Sequence, residues 1–280
     1  MKLTGLKPLI LLALALLIED AKAIISSPSA ANWGGDFFQS PTNWPTVPKA
    51  SFTQKGYIQF LKYVVDVPEI TDYTFCLWVK SHNLTYNHPL LSYSKHDKER
   101  LIRVWISPHG THINLELMGK TPFTVSSKIV ENQWNHLCQS WSSHMGTWAF
   151  YLNGKLHSSG HQALLRNVRI PAGGDLVVGQ EYTDFDKGLD DGIEGDISGF
   201  NLVLSSAFSR RNDLLQRHTW EGSTHKPFGM LLVELGQDCG LLRGAPLSGK
   251  GVLVSWTKTE VRVFGGATLK MTVPFCAQKR

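Results

Sequence analysis

The chain has 280 residues, of which 42% are hydrophobic and 18% charged, with a formal net charge of +5. That apolar content can bury a full core in one or two domains, which excludes a disordered tail protein and a fibrous repeat. The basic balance is mild and forms no dense stripe, so nucleic acid is not an expected partner.

The chain opens with Lys2 and Lys7, an apolar run from Leu9 to Ile18, and Ala21-Lys22-Ala23. A basic start, a short apolar run and a small-x-small site predict a secretory signal peptide over residues 1–23. No stretch reaches the ~18 apolar residues that a membrane helix needs, so the protein is expected to be secreted, extracellular and not membrane-spanning. Residues 24–50 lack periodicity and read as an N-terminal extension. A single domain with a C-terminal tail is expected over residues 51–280.

From Tyr57 onward, short apolar runs alternate with turn residues. Strands are predicted at residues 73–79, 101–106, 113–117, 148–152, 176–179 and 197–202. Asn153-Gly154, between Leu152 and Lys155, predicts a tight hairpin, because both central residues of a type I′ turn need positive φ. One helix is predicted near 210–220, where Leu214, Leu215 and His218 share a face and Ser209 can cap it. Many short strands and few helices imply an all-β antiparallel two-sheet sandwich or jelly roll.

The four cysteines are Cys76, Cys138, Cys239 and Cys276. An even count in a secreted chain predicts two disulfides, and among the three connectivities spacing favours Cys76–Cys138 and Cys239–Cys276. Asn83-Leu84-Thr85 is a sequon, which places a glycan on Asn83 in a surface loop.

Residues 133–143 read Gln-Trp-Asn-His-Leu-Cys-Gln-Ser-Trp-Ser-Ser. This segment resembles the pentraxin signature His-x-Cys-x-Ser/Thr-Trp-x-Ser/Thr, with His136, Cys138, Ser140, Trp141 and Ser143 in its fixed places. The order around it is similar too: Phe75-Cys76-Leu77 before it, then Phe150 to Lys155, Val178-Gly179-Gln180-Glu181, Gly195 to Asn201 and, as the final strand, Val254-Ser255-Trp256. The resemblance implies a concanavalin-like jelly roll, with Cys138 paired to Cys76, and Trp141 and Trp134 in the core. His136 is expected to be a satisfied structural histidine.

Between Glu181 and Asp196 stand seven carboxylates in sixteen residues (Glu181, Asp184, Asp186, Asp190, Asp191, Glu194 and Asp196) against one lysine, Lys187. Like charges at this density repel unless a cation arrives, and calcium takes six to eight hard oxygen ligands, backbone carbonyls included. The alternative is a solvated acidic loop. The resemblance favours Ca2+, with metal ligands at Glu181, Tyr182 (through its carbonyl), Asp184, Asp190 and Asp191. The family also draws an Asp-Asn pair from the loop after Ser-Tyr. Here Ser92-Tyr93 is followed by no such pair; Asp97 and Glu99 can substitute, with ion pairs to Lys98 and Arg100 as the alternative. One ion, a pair of ions and a lost site all stay open.

The resemblance thus implies a secreted, calcium-dependent, lectin-like pattern-recognition protein of innate immunity. It would bind phosphate- or carboxylate-bearing lipid or polysaccharide ligands such as phosphocholine, assemble as a homo-oligomer and break no bond. A metal-independent extracellular protein-interaction module of the laminin-G-like type is the alternative. A glycoside hydrolase of the laminarinase type fits less well, because Glu194-Gly195-Asp196-Ile197-Ser198-Gly199 places a glycine where the second catalytic carboxylate is needed.

Overall fold

The computed structural model of the protein describes residues 29–31, 46–53, 58–95, 99–181, 192–208, 227–237 and 247–272. In chain order its strands are β1 (Ser29–Ala31), β2 (Val47–Phe52), β3 (Phe60–Tyr63), β4 (Asp72–Ser81), β5 (His88–Lys95), β6 (Glu99–Ile106), β7 (His112–Leu117), β8 (Lys120–Ser126), β9 (Asn135–Ser142), β10 (Thr147–Leu152), β11 (Lys155–His161), β12 (Asp175–Val178), β13 (Gly195–Val203), β14 (Val252–Val254), β15 (Val261–Phe264) and β16 (Thr268–Thr272). The α-helix of the described residues is α1 (Phe228–Gln237). The strands form two sheets, ordered β1-β15-β3-β12-β5-β6-β7-β8 and β11-β10-β9-β4-β13-β2-β16, with β14 paired to β13. The pairings are antiparallel, as the strand pattern predicts.

The two sheets enclose the main core, where Trp141, Trp256, Tyr73, Phe75 and Phe200 are almost fully buried. Along β9, Leu137 and Trp141 enter this core, while Cys138 lies in a second cluster on the other face of its sheet. That division follows from the two-residue period of a strand. The predicted hairpin joins β10 to β11, with φ of 49° at Asn153 and 71° at Gly154.

Helix α1 covers the outer face of the second sheet, resting on β4, β9 and β13. Its buried residues Gly229, Leu232, Val233 and Gly236 follow the i, i+3, i+4, i+7 spacing of one helical face. The glycines permit the close approach: a Cβ at Gly236 would lie 2.5 Å from His136 Nε2, and one at Gly229 would lie 2.5 Å from the Ser205 carbonyl oxygen. Trp78 Nε1 donates to the Gly236 carbonyl at 3.1 Å. Beneath the helix, Cys76 and Cys138 are register partners on β4 and β9 and form the expected disulfide, with Cα atoms 4.1 Å apart.

Several expectations change. Trp134 does not enter the sandwich core; it packs with Val47 and Trp78 on the outer face of the second sheet and lies beneath the Lys80 ammonium, 5.5 Å from its ring centroid. Strand β2 begins at Val47, within the stretch read as an extension, and pairs with both β13 and β16. The segment at Val254-Ser255-Trp256 is not final, since β15 and β16 follow it, one in each sheet. The helix expected near 210–220 and the Cys239–Cys276 pair lie outside the described residues. No helix among the described residues is long and apolar enough to cross a membrane.

Candidate functional site

Strand β12 delivers the chain to the root of the acidic segment. Gly179 has a φ of 96°, and a Cβ there would lie 2.8 Å from the Phe52 ring. Gln180 then bridges to Gly192, and the Ile193 N–H donates to the Gly179 carbonyl at 3.0 Å. The departing and returning strands are thereby clamped together, with Glu181 at the neck and no part of it exposed to solvent.

A buried carboxylate needs strong partners, because removing its charge from water is costly. Two arginines of β6 supply them. Arg100 Nε lies 2.6 Å from Glu181 Oε1, and Arg103 Nη2 lies 2.6 Å from Oε2. Residues three apart on a regular strand face opposite ways. Here Tyr93 and Ser94 of β5 pair with Ile102 and Arg100, so Leu101 is an extra residue on β6. Such a bulge re-aims the side chains that flank it and brings Arg100 and Arg103 to one face. The Arg103 guanidinium also lies over the Trp105 ring, 4.3 Å from its centroid, and that cation–π contact fixes its orientation.

This geometry bears directly on the calcium expectation. Each oxygen of Glu181 has a guanidinium against it, and a divalent ion entering there must displace both arginines or sit among like charges. As found, the surroundings of Glu181 fit a guanidinium pair and do not fit a calcium ion. Of the other expected ligands, Asp97, Tyr182, Asp184, Asp190 and Asp191 lie outside the described residues, while Glu99 is exposed at the start of β6. Arg100 is legible in the sequence as an ion-pair partner, although of Asp97 or Glu99 and not of Glu181, and Arg103 and Trp105 are legible only as strand residues. Their signal is the adjacent apolar pair Leu101-Ile102, which breaks the alternation of β6.

The remaining described carboxylates of the segment also have partners within the protein. Glu194 Oε2 accepts from Asn83 Nδ2 at 3.2 Å. Asp196 accepts from Ser51 Oγ at 2.6 Å and pairs with Lys49 Nζ at 3.0 Å and Lys80 Nζ at 3.2 Å, with His82 Nε2 at 3.5 Å. Burial pushes the Asp196 carboxyl up, but the Ser51 hydroxyl and the two ammonium groups outweigh burial and hold it below the usual carboxylate value. Asp196 is thereby held ionised and tied to β2 and β4 as part of the fold.

His136 is the structural residue expected of it. It is buried against the Trp78 ring and Cys138, and burial pushes its imidazole down to about 3. Although His136 sits with Cys76 and Cys138 in a metal-like cluster, both sulfurs are bonded to each other. The sequon lies in the β4–β5 loop, where Asn83 Oδ1 accepts from the Thr85 hydroxyl at 2.6 Å and the Thr85 N–H at 3.0 Å.

Two antiparallel sheets, a signature strand pinned beneath a helix, and a polar site at the neck of one loop define a jelly-roll domain with a loop-borne site. The chain belongs to the pentraxin family: the model of the Pentaxin family matches residues 46–209, more than half of the chain. Neuronal pentraxin-1 of Rattus norvegicus is 24% identical over 233 residues, covering 81% of this chain and 46% of that protein. Pentraxin-related protein PTX3 of Mus musculus is 28% identical over 209 residues, covering 71% and 46%. The chain therefore spans about half the length of these relatives. The structure of a native heptameric SAP-like pentraxin from Limulus polyphemus superposes with a TM-score of 0.60 at 19% identity, covering 82% of this chain and 96% of that one, which shows the fold.

Proposed function

We propose that this protein is a secreted, lectin-like pattern-recognition protein. It binds phosphate- or carboxylate-bearing ligands, such as phosphocholine or acidic polysaccharide, and breaks no bond in them. One observation carries the reading: the chain holds a pentraxin domain over residues 46–209, and its acidic segment, seven carboxylates between Glu181 and Asp196, begins at the neck on the first sheet. Family membership supports a binding role, and the pentraxin from Limulus polyphemus, described as heptameric, makes a cyclic homo-oligomer the assembly to look for.

Calcium dependence, expected from the acidic segment, rests on Asp97, Tyr182, Asp184, Asp190 and Asp191 together with Glu99. Glu181 is committed to arginines. That commitment equally favours the second reading, a metal-independent extracellular interaction module. Retention of the protein on immobilised phosphocholine and on acidic polysaccharides, with calcium and with EDTA, tests both. Ligand retention supports the lectin-like reading, and retention of neither ligand under either condition favours the interaction module.

A further inference from the structure

We infer that Arg100 and Arg103 take the part of a metal ion at the root of the recognition loop, so that Glu181 is neutralised by the chain itself and binds no calcium. The inference rests on reading this loop as the recognition site. Its test reads stability and metal uptake, so it can fail without the ligand reading failing, and the reverse.

The charge balance is that of a metal site. Two guanidinium groups bring the two positive charges that one calcium ion would bring, and each oxygen of Glu181 has its own nitrogen at 2.6 Å. The carboxylate has no exposed surface, and the side chains of Arg100 and Arg103 are only 29% and 14% exposed, so the cluster is enclosed by the fold. Its parts are held in place by backbone features. The extra residue Leu101 sets both arginines on one face, Trp105 supports the Arg103 plane, and the Gln180–Gly192 bridge fixes the carboxylate. Arginine stays protonated at every accessible pH, so neither proton nor chelator can remove these cations, as either can empty a calcium site. The loop root is therefore formed at any extracellular calcium level.

The test uses the full mature protein. Thermal unfolding and isothermal titration with calcium chloride are compared in EDTA and in millimolar calcium, for the wild type, for Glu181→Gln and for the double variant Arg100→Met/Arg103→Met. The shift of the midpoint between the two media is expected to be the same for the wild type and for Glu181→Gln. The double variant is expected to lose roughly 10 °C, because its buried glutamate loses both guanidinium groups. A wild-type midpoint that rises with calcium, and a heat of binding that Glu181→Gln abolishes, would overturn the inference. So would an unchanged midpoint in the double variant. A calcium response that Glu181→Gln leaves intact arises at other carboxylates and supports the inference for Glu181. Should the double variant fail to fold, the comparison of wild type with Glu181→Gln decides alone.

Discussion

Arg103 reaches Glu181 with Nη2 2.6 Å from Oε2 while its guanidinium lies over the Trp105 ring. One carboxylate is shared with Arg100, which makes the two arginines interdependent. Removing either takes one guanidinium from Glu181, and removing both takes the pair. The single variants Arg100→Ala and Arg103→Ala are therefore expected to cost less in sum than the double variant. The coupling should be about 1–3 kcal/mol by urea denaturation, and additive effects would show that the cluster does not act as a unit.

His136 predicts a pH dependence. Its folded value of about 3 lies below the unfolded value of 6.5, so the unfolded state binds the extra proton between them. The sign is then fixed: this contribution to stability is fully present above the unfolded value and is lost as pH falls towards the folded one. Between about pH 7 and pH 5 the loss is roughly 2 kcal/mol. Unfolding free energies at those two pH values check it, and His136→Phe should reduce the slope over that interval, leaving the part that buried His88, also pushed down by burial, contributes.

Asp196 acts lower on the pH scale. Its folded value is depressed, so its contribution is present above the unfolded carboxylate value and is lost as pH falls through the folded one. Asp196→Asn should lower stability at neutral pH and flatten the acid limb below about pH 4. Acid titration of the unfolding midpoint distinguishes this limb from that of His136.

The face of α1 predicts a steric effect. Gly236→Ala brings a Cβ to within 2.5 Å of His136 Nε2, so the helix or the imidazole must shift. The expected cost is about 1–3 kcal/mol in thermal or denaturant unfolding, typical of overpacking.

The Cys76–Cys138 bridge closes a separation of 62 residues. Replacing both cysteines by serine should cost roughly 4 kcal/mol in the chain-entropy model. Denaturation of the variant beside the reduced wild type measures that cost without strain from a lone thiol.

These residues also indicate how far the sequence could be read. Strands β4, β7 and β10 and the Asn153-Gly154 hairpin were legible because runs of strand-forming residues, alternation and positive-φ turn residues are local signals, whereas β9 was reached through the resemblance of its signature. Helix α1 was not, because two glycines lower helix propensity and the short apolar run Met230 to Val233 cannot be told from a buried strand by periodicity. Only the packing of those glycines on His136 and Ser205 reveals their purpose. The acidic segment was legible as a count of charges, but a count cannot show where each charge is answered. Glu181, Glu194 and Asp196 are answered from β6, from the β4–β5 loop, and from β2 and β4. Arg103 was hidden by regular strand geometry, which places it opposite Arg100 until Leu101 is recognised as an extra residue.

The most direct measurement of the central claim is a crystal structure of the protein grown in millimolar calcium chloride. The account predicts that Arg100 Nε and Arg103 Nη2 stay on the two oxygens of Glu181. A calcium ion at roughly 2.3–2.6 Å from those oxygens, with the arginines turned away, would contradict it.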